Sequence, residues 1–193
     1  AVEGYGGRAI MTSDSHERCT DRIAEASRLS SADIVINVQG DEPLVHPDMF
    51  SALLAPLLDD SALQCTNLMS SITSDEDFRS PNVVKTVCDP IGNAIYFSRE
   101  PIPSVKKAGN LEVKKYRQLG IIAFRSEFLQ LFSSLAQTAL EKIESIDMLR
   151  VIESGYKVRM VVTDFQIIGV DTPGDLERAR TMMKEDPLFK LYR

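Results

Sequence analysis

Two aspartates, Asp41 and Asp171, stand in settings that suit metal-assisted chemistry. The first closes on Asn37-Val38-Gln39-Gly40-Asp41-Glu42-Pro43, directly behind the apolar run Ile34-Val35-Ile36, and the second ends Ile167-Ile168-Gly169-Val170-Asp171. Each follows an apolar strand-like segment through a glycine, and Gly40 is expected to let the backbone turn. In open α/β sheets, ligands sit outside the carboxyl ends of strands. Acidic oxygens there suit a hard divalent cation, and Mg²⁺ is usually held by one or two carboxylates plus substrate phosphates. If the two strands are parallel neighbours, both carboxylates emerge at one sheet edge and repel each other unless a cation neutralises them. The same residues also have a structural reading, with Asp41 as a turn residue and Asp171 as the partner of a helix N-terminus. Spacing alone leaves both open.

The elements that must position these residues alternate between strand and helix, which predicts an α/β fold with a three-layer, mixed but mostly parallel sheet. Thr20 is expected to cap a helix running to Ser27, and a buried parallel strand follows over Asp33 to Val38. Pro47 opens a helix carrying Phe50, Leu53, Leu54 and Leu57. Strands are predicted at Arg8 to Met11, Leu63 to Met69, Val83 to Cys88, Leu119 to Phe124 and Val158 to Val162. Pro90-Ile91-Gly92-Asn93 marks the turn of a hairpin between Lys85–Cys88 and Ala94–Phe97. Helices are expected over Ser126 to Ala136 and Thr138 to Ser154, the second ended by Gly155. Thr172-Pro173-Gly174-Asp175 supplies the cap and capping box of a last helix. The polar stretch 101–117, rich in Pro and Lys, is a loop excursion.

Composition sets the bounds. The 193 residues suffice for one good core. A net charge of −6 with no basic run argues against nucleic-acid binding. No apolar stretch approaches a membrane span, and the three isolated cysteines give neither a zinc spacing nor a disulfide framework. A cytoplasmic enzyme is expected. There is no initiator Met, and residues 1–7 read as the end of a helix and a turn, so the chain is taken as lacking its beginning.

Several motifs in register then carry a family resemblance. Asn37 to Pro43, Pro81-Asn82-Val83-Val84-Lys85, Ala94 to Arg99 with Ile102-Pro103, and Gly169 to Pro173 resemble the 3-deoxy-manno-octulosonate (Kdo) cytidylyltransferases. So do Met11-Thr12, His16, Thr20 and Arg22. The resemblance implies a nucleotide-diphospho-sugar transferase-like fold over a single domain, 1–193. A small sugar-binding and dimerisation annex is expected at about 101–154. It implies that CTP and an acidic 2-keto-3-deoxy sugar give a CMP-sugar and pyrophosphate, feeding bacterial surface polysaccharide assembly, in a homodimer. It places Mg²⁺ on Asp41 and Asp171, where the ion would neutralise the α-phosphate and orient the attacking hydroxyl. Gln39, Gly40, Thr20 and Arg22 match nucleotide-side positions. Lys85, Arg99, Gln118, Glu144 and Asp147 are candidates for the sugar side, Arg99 through its bidentate fork.

Each has a bland alternative: a helix cap, an edge lysine, a solvated helix carboxylate, an exposed hairpin end. The chain also departs from the pattern. Arg18-Cys19 replaces a Ser-Gly pair, Gln118 a His, Ile122 a Tyr, and Asp147-Met148 a Glu-Gln pair. Lost hydroxyl partners change specificity, so a relative of Kdo, rather than Kdo itself, is the expected acceptor. The family's Gly- and Arg-rich phosphate loop has no match, and little activity is expected of the chain alone. Two rivals remain: a metal-dependent glycosyltransferase that consumes a nucleotide sugar, and a catalytically silent nucleotide-sugar-binding paralogue.

Overall fold

A computed structural model describes residues 2–165 and 167–192, with Ala1 of the opening run outside them. Six strands, β1 (Ile34–Val38), β2 (Cys65–Ser71), β3 (Lys85–Cys88), β4 (Ala94–Ser98), β5 (Tyr116–Arg125) and β6 (Val158–Val162), form one sheet in the order β4-β3-β5-β2-β6, with β1 also pairing β5. The helices are α1 (Cys19–Ser27), α2 (Pro47–Asp59), α3 (Asp75–Arg79), α4 (Ser126–Ser134), α5 (Ala139–Glu144), α6 (Met148–Glu153) and α7 (Pro173–Glu185).

The sheet is mixed, as expected, but its neighbouring strands are not mostly parallel. Only β2 and β6 pair parallel; β1, β2 and β3 each pair antiparallel with β5. Consequently β1, β2, β3 and β6 all run in one direction, with β5 threaded among them in reverse. The segment expected as a buried parallel strand, Asp33 to Val38, forms β1 and pairs antiparallel with β5, whereas strands buried on both faces are usually parallel. β5 is itself buried on both faces because it is the central strand. Leu119, Ile121 and Ala123 face α2 through Met49, Leu53 and Leu57, whereas Ile122 and Phe124 face Ala24 of α1, Phe128 and Phe132 of α4 and Leu149 of α6. These period-two clusters are the three layers, and each fully buried Leu, Ile or Phe contributes about 1.5–3 kcal/mol. The span 101–154 thus supplies the middle of the sheet as well as helices α4 to α6.

Three predicted elements do not form, one of them the strand expected to lead into Asp171, since residues 167–170 belong to no ladder. Residues 8–11 are exposed and belong to no ladder; an apolar run without a partner strand has nowhere to place its backbone hydrogen bonds. The single helix over Thr138 to Ser154 is two, broken at Ser145, which is left-handed (φ 55°, ψ 47°). Arg99 makes the break affordable, because its guanidinium takes the Glu144 carbonyl at 2.7 Å and the Ser145 carbonyl at 3.3 Å. The β3–β4 hairpin, the β6 strand and the Thr172–Asp175 capping box form as expected.

Candidate active site

Because β1, β2, β3 and β6 share a direction, their carboxyl ends lie at the edge where β5 begins. The chain leaving β1 is stitched to that start: the Gln39 N–H donates to the Gly120 carbonyl at 3.0 Å, and the Gly120 N–H donates to Glu42 Oε1 at 2.7 Å. Gly40 lies in the turn as expected, the Glu42 N–H donating to the Gln39 carbonyl at 3.2 Å across it, but the position does not need to be glycine. Its φ is not positive and a Cβ there would meet open space, whereas Leu44 carries the left-handed conformation (φ 70°). The glycine that the geometry requires is Gly120, where a Cβ would sit 2.7 Å from Gln39 Oε1.

At this edge opens a cleft of about 680 Å³, lined among others by Gln39, Asp41, Arg117, Asp147 and Asp171. That volume suits a small-molecule ligand. The two aspartates expected to converge do so: both line the cleft, and the Val170 N–H donates to the Asp41 carbonyl at 2.9 Å. Both side chains are exposed, and neither has a hydrogen-bond or ion-pair partner among the described residues. Glu42 senses them both. Burial pushes its carboxyl above the usual glutamate range, Gly120 and Arg117 pull it back, and the charges of Asp41 and Asp171 push it up again. Among the described residues, no cluster of three or more His, Cys, Asp or Glu side chains is gathered to hold a metal. Two free carboxylates over one cleft are the donor set Mg²⁺ uses when substrate phosphates complete its shell.

One wall of the cleft is built from α1 and the α5–α6 break. The Thr20 hydroxyl, fully buried, donates to Asp147, and the Arg18 guanidinium donates to Ser145 Oγ at 2.8 Å. Burial pushes the Asp147 carboxyl up, and the Thr20 hydroxyl draws it partly down. Gln39 Nε2 lies 3.4 Å from the Cys19 sulfur. Behind this wall, buried Arg150 forks onto Glu141 at 2.6 and 2.9 Å and onto Asp21 at 3.0 and 3.3 Å, tying α1 to α5 and α6. Glu141 is therefore structural.

Several residues expected at the site are engaged elsewhere. Lys85 is fully buried, absent from the cleft lining, and donates to the carbonyls of Ser80 (2.8 Å), Val83 (2.7 Å) and Arg99. A buried ammonium needs such partners, and burial pulls its pKa down. Glu144, also off the cleft, accepts from the Arg99 N–H (2.8 Å), the Ser98 hydroxyl (2.9 Å) and the Tyr96 hydroxyl (3.1 Å). Burial pushes its carboxyl up, but those donors outweigh it and hold it below the usual range. Arg99 reaches the cleft, with its guanidinium on the carbonyls of Pro81, Glu144 and Ser145. Arg22 instead binds Thr12 Oγ1 (2.5 Å) and the Ser13 carbonyl (2.9 Å). Gln118 lines the cleft while its amide donates to Asn67 Oδ1 at 2.6 Å.

Sequence reasoning missed Arg117, which lines the cleft and, among the described residues, donates to one acceptor, the Ile167 carbonyl at 3.2 Å. It also missed Gly120 and the bond that Glu42 makes to it. Arg117 ends the polar stretch 101–117 and precedes the apolar run, so no local pattern distinguishes it from a solvated arginine.

Comparison with known proteins agrees with this geometry. The family pattern described as cytidylyltransferase matches residues 1–160. The chain is 44% identical over 194 residues to a 3-deoxy-manno-octulosonate cytidylyltransferase of Geotalea daltonii, covering 96% of this chain and 77% of that protein. It is 45% identical over 188 residues to the enzyme of the same name from Geobacter metallireducens, covering 92% and 74%. The structure of CMP:2-keto-3-deoxy-manno-octonic acid synthetase complexed with CTP superposes with a TM-score of 0.86 at 38% identity, covering 95% of this chain and 75% of that one. The chain belongs to the cytidylyltransferase family, alongside the 3-deoxy-manno-octulosonate cytidylyltransferases.

Proposed function

We propose that this chain transfers CMP from CTP to Kdo and releases pyrophosphate. The observation that carries the proposal is the convergence of Asp41 and Asp171, both without partners among the described residues, on one cleft at the carboxyl ends of co-directional strands. The anomeric oxygen of the sugar forms a bond to the α-phosphorus. The bond from that phosphorus to the oxygen bridging to the β-phosphate breaks, its electron pair leaves with pyrophosphate, and the hydroxyl proton is released.

Asp41 and Asp171 would hold Mg²⁺, which when bound neutralises phosphate charge and orients the reacting oxygens. Arg117 has guanidinium donors left over after Ile167 and would meet an anionic oxygen of either substrate. Gln39, held over Gly120, presents its amide at the boundary between nucleotide and sugar. Arg18, Asp147 and Thr20 would shape the wall rather than carry charge to the phosphates. Lys85, Arg99 and Glu144 would hold the loops that frame the cleft.

Kdo is proposed in place of the relative that the departures pointed to. Two of the substituted side chains are already committed within the protein, Gln118 to Asn67 and Asp147 to Thr20, so they are not vacant sugar contacts, and the similar proteins are named for Kdo. A cytoplasmic homodimer, acting without nucleic acid or membrane, completes the proposal; no described helix is long and apolar enough to cross a membrane.

The test is a substrate panel. CTP and the other nucleoside triphosphates are each offered with Kdo and with other eight- and nine-carbon 2-keto-3-deoxy acids, reading pyrophosphate release. CTP with Kdo is expected to give the highest rate. Pyrophosphate formed faster with another acid would reassign the acceptor. Release of CMP or a nucleoside diphosphate from a sugar nucleotide would identify a glycosyltransferase, and no turnover of any pair would indicate a silent binding protein.

A further inference from the structure

The loops carrying Asp41 and Asp171 run side by side in opposite directions and are joined twice. At one end the Val170 N–H donates to the Asp41 carbonyl at 2.9 Å. At the other the imidazole of His46 stacks on the ring of Phe165, with centroids 4.4 Å apart and planes inclined by 15°. Both joins are spaced five residues apart on each loop, from Asp41 to His46 and from Phe165 to Val170, so they share a register. Between them, Val45 packs on the same apolar cluster that holds Ile167.

His46 is also firmly mounted. It is the N-cap of α2, where its Nδ1 accepts the Asp48 N–H at 3.2 Å, and α2 is seated in the core through Met49, Leu53 and Leu57. The stack therefore references the second aspartate's loop to a rigid helix. Something must, since two carboxylates with no cation between them repel. Phe165 is 37% exposed, so its ring is poorly explained as core.

We propose that the His46–Phe165 stack is a clasp that sets the separation of Asp41 and Asp171 before a divalent cation arrives. Holding ligand groups in place beforehand spares binding free energy that would otherwise go into ordering them. His46 and Phe165 are positioning residues, and the inference rests on Asp41 and Asp171 being the metal pair.

The test uses the full chain and four variants. Phe165→Leu removes the stack and leaves the cap. His46→Asn keeps a cap acceptor and removes the ring. His46→Phe keeps a ring and loses the acceptor. Mn²⁺ affinity is read by electron paramagnetic resonance with CTP present and no sugar, and the Mg²⁺ concentration for half-maximal pyrophosphate release is read alongside. Phe165→Leu and His46→Asn are expected to weaken Mn²⁺ about fivefold, the scale of one ring–ring contact, and to raise the Mg²⁺ requirement far more than they lower kcat at saturating metal. His46→Phe is expected to restore the affinity. Unchanged Mn²⁺ affinity in Phe165→Leu and His46→Asn would overturn the clasp, as would a loss in His46→Phe equal to that in His46→Asn, which would show that a ring at position 46 does not carry the effect. Asp41→Asn separates the two layers of argument. If it too binds Mn²⁺ normally, the metal pair is wrong; if it alone loses Mn²⁺, only the clasp fails.

Discussion

The floor of the cleft and the frame around it treat charge in opposite ways. On the floor, Asp41 and Asp171 are exposed and have no hydrogen-bond or ion-pair partner among the described residues. In the frame, Lys85 holds three carbonyls, Arg99 three more, and Glu144 three donors. All five residues were site candidates on sequence grounds, the two aspartates for metal and the other three for the sugar. Charge that the protein has already satisfied builds the site, whereas charge left unsatisfied beside a cavity is available to a ligand.

The largest effect that would sharpen this contrast is on the floor. Asp41→Asn or Asp171→Asn is expected to lower kcat by about 10³-fold, since a bound metal supplies several kcal/mol to such a reaction. The thermal midpoint should hold or rise, because one of two repelling charges is gone. A marked loss of stability with activity retained would place these aspartates in the frame.

Lys85→Met should do the reverse. Leaving three buried carbonyls without their donor costs about 3 kcal/mol, measurable by urea unfolding, while kcat/KM per folded molecule stays within a few-fold. Lost turnover at unchanged stability would return Lys85 to the substrate. Gly120→Ala tests the seam between the two regions. The new methyl would displace the Gln39 amide, and about a tenfold fall in kcat/KM is expected, equivalent to ~1.4 kcal/mol. Adding Gln39→Ala should recover the stability lost in Gly120→Ala without recovering the activity.

The smallest effect concerns pH. Asp147 has its carboxyl raised by burial, so between the ordinary aspartate value of 3.8 and its own higher one the folded state binds more protons than the unfolded state. Stability must then fall as pH rises through that window. Asp147→Asn is expected to flatten this falling limb and to give its greatest relative stabilisation above it. Stability curves that run parallel in the two proteins would show that the carboxyl is not raised.

Much of this architecture was legible because local pattern and tertiary role coincide. The Val158–Val162 strand, the hairpin about Pro90–Asn93 and the Thr172–Asp175 cap follow from periodicity and turn chemistry, and the structure contains all three. The direction of β1, β2 and β6 was also legible, and with it the meeting of Asp41 and Asp171 at one edge. Pairing was not. The run Leu119 to Phe124 announces burial on both faces, and burial has no direction, so nothing local reveals that β5 runs against its neighbours. The turn at Gly40 was legible as well, but not the left-handed residue beside it, which the chain placed at Leu44.

What the sequence determined by itself was therefore the kind of most of the elements, the two acidic segments that meet at one edge, and the family to which their order belongs. Only the tertiary structure decided which charges are spent. Lys85, Arg99 and Glu144 meet their partners across separations of up to 48 residues, and only the fold brings Arg117 to the cleft. A side chain's partners are fixed by where the backbone brings distant carbonyls and carboxylates together, and that is a property of the folded chain rather than of any segment within it.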